Sequence, residues 1–133
     1  MHLKKTSRLF VVSGTLLIWI IKFIIRPFVH VPASFKLFIG SAPNLIGSFL
    51  LPFGACWLFG RIFKMQTIAD VRITCWFGLM LVIINEYLQL IPVFGRTFDY
   101  ADIIFSFAGC LTGYWVYGKL LLKSAGVFNK AMA

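Results

Sequence analysis

Glu86-Tyr87-Leu88-Gln89-Leu90-Ile91-Pro92-Val93-Phe94-Gly95-Arg96-Thr97-Phe98-Asp99-Tyr100-Ala101-Asp102 is the stretch on which the reading of this chain turns. Three of the four acidic residues in the 133-residue sequence fall inside it. Apolar runs of about 20 residues flank it at 71–92 and 101–122, long enough to cross a bilayer core as helices. Ionisable groups are costly beside hydrocarbon, so carboxylates and an arginine gathered between two such runs mark a functional site.

Two further runs, at 9–26 and 44–63, precede these. Composition agrees with a membrane setting. The chain is 60% hydrophobic and only 13% charged, about half the charged share of a soluble domain. The expected architecture is a single domain over 1–133: an all-α membrane protein of four transmembrane helices, since lipid-exposed backbone must satisfy its own hydrogen bonds. Pro27, Pro32 and Pro43 mark the first connection, with residues 34–39 expected as a short interfacial amphipathic helix. Arg61, Lys64, Asp70 and Arg72 make the second connection polar, and Pro92 with Gly95 mark the third.

The net charge of +9 does not point to nucleic acid, because the cations lie at segment ends. With both termini cytoplasmic, the inner stretches carry Lys4, Lys5, Arg8, Arg61, Lys64, Arg72, Lys119, Lys123 and Lys130. The outer stretches carry Arg26, Lys36 and Arg96, and Lys22 snorkels outward from the first run. This positive-inside bias turns the acidic stretch to the outer side. The basic start at Lys4, Lys5 and Arg8, with Val31-Pro32-Ala33 beyond, loosely resembles a signal peptide. The apolar part is too long and carries Lys22 and Arg26, so a retained helix is expected. Cys56, Cys75 and Cys110 lie inside apolar runs without metal-ligand spacing and read as small packing residues.

Glu86 and Gln89 share one helix face, as do Asp99 and Asp102. A third helix ending near Pro92 would hold Glu86 about 9 Å below its outer end, where a carboxyl is protonated or paired. Arg96 is the nearest cation in sequence, either as a structural lock or as a ligand for phosphate or carboxylate. Asp99 or Asp102 taken alone is as readily an N-terminal cap. Asn44-Leu45-Ile46-Gly47-Ser48-Phe49 echoes Asp102-Ile103-Ile104-Phe105-Ser106-Phe107. Two parallel helical-hairpin repeats would set Asn44 and Ser48 opposite Asp102 and Ser106 across a shared cavity. Gly109 and Gly113 form a small-xxx-small motif for close helix approach, and Pro52 can kink the second helix. His30 is a lone interfacial histidine or a companion to the carboxylates at a metal. Metal and cofactor are expected to be absent, and no nucleophile elbow or phosphate loop occurs.

Glu86-x-x-Gln89, Arg96-x-x-Asp99-x-x-Asp102, Gly109 and Gly113, together with Asn44-x-x-Gly47-Ser48 and Pro52-Phe53-Gly54, resemble the signature of the VanZ-like family of small bacterial membrane proteins. The resemblance covers about residues 44–118. Ser48 and Ser106 depart from it, the family usually having Asn at both places. The resemblance implies a multi-pass protein of the bacterial cytoplasmic membrane, cell-envelope function and low-level resistance to teicoplanin-type glycopeptides, with no mechanism attached. Three functions follow as expectations. The first is an envelope protein whose outer pocket binds membrane lipid or a lipid-linked cell-wall precursor. The second is a membrane-embedded enzyme acting on lipid-linked phosphates or esters, with Glu86 or Asp102 as base and Arg96 stabilising charge. The third is a small proton-coupled permease, which at this size requires a homodimer.

Overall fold

The computed structural model describes residues 2–62, 65–88, 90–91 and 99–132, with side chains given as far as residue 126. These residues are helical apart from short connections, and no strand occurs among them. We label the elements α1 (His2–Phe28), α2 (Ala33–Phe49), α3 (Leu51–Leu58), α4 (Ile68–Leu88) and α5 (Tyr100–Met132).

α1 contains a π-turn at Ile21–Ile25, with the Arg26 N–H bonded to the Ile21 carbonyl. The cause is local. Pro27 has no N–H to continue the α-helical ladder, and the chain widens by one residue just before it. α2 begins at Ala33, so residues 34–39 are its first turns and not a separate interfacial helix. The second run was expected to open at Asn44, after a proline-punctuated connection. Pro43 instead lies inside α2, because a proline removes one ladder bond without forcing a stop where neighbouring helices support the chain. Pro52 does mark a break. α2 and α3 meet at Leu50 with a bend of 44°, and Pro52 leaves the Ser48 carbonyl without its usual intrahelical donor. Thr67 and Asp70 start α4 as a reciprocal cap. The Thr67 N–H donates to Asp70 Oδ2 at 2.9 Å and the Asp70 N–H to Thr67 Oγ1 at 3.2 Å.

Three sets of contacts fix the helix directions. Arg26 donates a hydrogen bond to the Gly40 carbonyl, and Phe10 stacks on Phe53 at 4.7 Å, so α1 runs antiparallel to α2–α3. The Cys110 thiol donates to the Cys75 carbonyl at 3.4 Å, and Glu86 shares a cavity with Ser106, so α4 runs antiparallel to α5. α2 and α5 run parallel and in closest contact. A Cβ on Gly109 would strike the Leu45 carbonyl oxygen, and one on Gly113 that of Phe49. The small-xxx-small pair is thus a backbone-to-backbone seam. Of the two echoing segments, Asn44–Phe49 lies in this seam, whereas Asp102–Phe107 precedes Gly109 on α5.

The core is small and lies toward the end that holds the chain termini: Phe53, Val71 and Tyr117 are fully buried, and Cys75, Leu79 and Cys110 nearly so. Outside it much of the surface is apolar. Leu16, Trp19, Phe23, Ile73, Trp76, Ile104, Leu111 and Trp115 are all exposed, a hydrophobic surface far beyond what a water-soluble monomer carries. His2–Phe28 and Ile68–Leu88 are long and apolar enough to cross a membrane, and α2 with α3 makes a third such segment if counted as one bent span. This is a helical membrane protein. α5 has ample length at 33 residues, but Gly, Thr, Tyr and Trp between 109 and 118 dilute its apolar character.

Candidate functional site

Asn44 and Ser48 lie one turn apart on α2, Glu86 in the last described turn of α4, and Ser106 in the second turn of α5. The three helices bring these four side chains to one cavity of about 290 Å³, together with Pro43, Gly47 and Asn85. The seam explains why. Gly109 and Gly113 let α5 lie directly on α2, which draws Ser106 toward Asn44 and Ser48. Gly78 performs a similar service for α4, its missing Cβ leaving room for the Leu51 side chain, whose Cδ1 would lie 2.7 Å away.

The chemistry of the cavity is concentrated in buried oxygen atoms. Glu86 is 3% exposed, Ser48 3% and Ser106 1%. Ser106 Oγ makes no hydrogen bond among the described residues. A buried hydroxyl without a partner costs free energy on the order of 1–3 kcal/mol, and such a group facing a cavity is a ready contact for a polar ligand atom. Glu86 reaches its burial differently from the sequence expectation. α4 is described as helical only to Leu88, so Glu86 is two residues from the described helix end, not six. α4 packs against α5, and Glu86 is buried even this close to the described helix end.

Asp99 caps α5. Its Oδ1 accepts from the Ala101 N–H at 2.9 Å, and its carbonyl accepts from the Asp102 N–H at 3.2 Å. It is exposed and takes no part in the cavity. Asp102 is half-buried in the first turn of α5, one turn before Ser106, and does not line the cavity either. Among the described residues, then, Asp99 turns to the helix end and Asp102 does not line the cavity that holds Glu86. Gln89 and Arg96 lie outside the described residues. His30 lines a different cavity, with Arg26 and Lys36, and no group of three metal-ligating side chains occurs among the described residues.

No known family model, curated protein or solved structure matches this chain. The VanZ-like resemblance thus rests on the spaced residues themselves. Of these, Asn44, Ser48 and Glu86 meet at the cavity, Gly47 lines it, and Gly109 and Gly113 make the seam beside it. Asn85 was missed by sequence reading. As the residue before Glu86 in an apolar run, its carboxamide was the available signal.

Proposed function

We propose that the protein is a four-span envelope protein of the bacterial cytoplasmic membrane whose polar cavity binds a lipid headgroup or lipid-linked cell-wall precursor. In this reading the cavity faces the outer leaflet. The observation that carries it is the meeting of Glu86, Asn44, Ser48 and the unpartnered Ser106 hydroxyl around one space bounded by apolar helix surface. Such a pocket, apolar outside with a few converging polar groups, is how proteins hold amphiphilic ligands. The described ends of α1 and α5 lie at the end of the bundle opposite the 29–32 connection, and the lysines near both ends of the chain support a cytoplasmic side for that end.

The link to teicoplanin-type resistance comes with the VanZ-like resemblance. Binding at the outer leaflet would act where such drugs meet their precursor targets. The test pairs Glu86→Gln with Ser106→Ala. Both variants should fold, lose co-purified lipid and return a producing strain toward the teicoplanin susceptibility of one lacking the protein. Unchanged lipid content and susceptibility in both variants would overturn the reading. Burial of Glu86 also favours a proton-coupled permease. Flux in proteoliposomes that follows a pH gradient and is abolished by Glu86→Gln would select that reading instead.

A further inference from the structure

We propose that Arg26, His30 and Lys36 form a cup that binds the phosphate group of an anionic lipid headgroup. The cup is a cavity of about 470 Å³ between the end of α1 and the start of α2. Its walls include Phe28, Ile39 and Gly40 besides the three basic side chains, and they contain no carboxylate.

Three features point to an anion. The Arg26 guanidinium is anchored on the Gly40 carbonyl. One of its five N–H donors is used there, and the planar fork is held in place for the others. Lys36 lies in the first turn of α2, which has no acidic residue. A cation beside the exposed N–H groups of a helix start opposes the helix dipole, and a bound anion would offset both. The third is placement. With the termini in the cytoplasm, Arg26 and Lys36 sit on the side that positive charge normally avoids, so they call for a local reason to be there.

A lipid source is favoured over a soluble one by the rim. Phe28 is 82% exposed at the cup, and Phe35, one turn before the lining residue Ile39, is exposed as well, an apolar rim suited to the glycerol and upper acyl region. Lys36, Gly40 and Asn44 follow at four-residue spacing along α2, so a headgroup seated in the cup would lie about two turns from the Glu86 cavity. The cup does not depend on that cavity having a ligand.

The test uses the full chain, delipidated in mild detergent, with bound lipid counted by native mass spectrometry. Phosphatidylglycerol should bind in preference to phosphatidylcholine. His30→Gln with Lys36→Gln should weaken phosphatidylglycerol binding at least about fivefold, the effect of one surface charge near an anionic headgroup. Lys119→Gln with Lys123→Gln, at the opposite end of the bundle, should leave it unchanged. Circular dichroism confirms the fold of each variant. Displacement of phosphatidylglycerol by millimolar inorganic phosphate would support phosphate as the recognised group. Inorganic phosphate binding with no preference among lipids would overturn the lipid assignment. Equal retention by the His30/Lys36 variant, or equal loss in the Lys119/Lys123 variant, would overturn the cup. Neither result touches the Glu86 and Ser106 variants that test the other cavity.

Discussion

Replacing Gly109 and Gly113 by alanine should force α2 and α5 apart. An ideal Cβ at Gly109 would lie 2.9 Å from the Leu45 carbonyl carbon and 3.1 Å from its Cα, with the carbonyl oxygen closer still. At Gly113 the corresponding distances to Phe49 are 3.0 and 3.1 Å. The obstacle in both cases is helix backbone, which cannot rotate away as a side chain can. Relief requires the helix axes to separate, at an overpacking cost of about 1–3 kcal/mol for each substitution. The double variant should cost less than the sum of the two single variants, because one separation relieves both. Reversible unfolding of the purified protein in mixed micelles, titrated with denaturing detergent, reads the effect. Gly47→Ala is the matched control, since its Cβ would meet nothing within 4 Å, and it should gain up to about 1 kcal/mol in helix propensity. Gly14→Ala is intermediate: its nearest obstacle is Leu50 Cδ1 at 2.6 Å, the movable end of a side chain. The expected order of stability is Gly47→Ala, wild type, Gly14→Ala, Gly109→Ala, then the double variant. Gly109→Ala as stable as wild type, or Gly47→Ala as damaging as Gly109→Ala, would refute the seam.

Two further outcomes follow from the core and the cap. Phe53→Ala removes a fully buried ring that stacks on Phe10 and meets Tyr117 edge-on at 5.3 Å; it should lower stability by about 3–5 kcal/mol in the same unfolding assay, and a loss below about 1 kcal/mol would show that the site collapses freely. Thr67→Ala breaks the reciprocal cap of α4 and should cost about 1 kcal/mol, with Thr67→Ser restoring most of it; equal stability of the two variants would deny the cap a role.

The helical, membrane-bound character of the chain was legible because long apolar runs leave few alternatives. Helix limits were less so. Pro43 reads as punctuation in the sequence, yet it sits within α2, because neighbouring helices decide whether one lost ladder bond ends a helix. The echo of Asn44–Phe49 in Asp102–Phe107 falls on two helices that run parallel, but the seam pairs Leu45 with Gly109 and Phe49 with Gly113, so the echoing positions do not face one another. At the site, where the sequence expectation sets Asn44 and Ser48 opposite Asp102 and Ser106, it is Asn44, Ser48, Glu86 and Ser106 that line one cavity. Asp99 does not, since a carboxylate next to a helix start is drawn to free N–H groups. Asp102 does not, since spacing fixes a helix face but not which neighbour that face meets. Asn85 escaped notice for the same reason, its rotation about α4 being set by packing.

Accessibility of position 44 tests most directly the claim that a polar recess opens toward the outer leaflet. Asn44→Cys should react in intact cells with a positively charged, membrane-impermeant thiol reagent, well above the wild-type baseline set by Cys56, Cys75 and Cys110. Reaction only after the cytoplasmic face is opened would contradict the orientation, and no reaction from either side would contradict the recess.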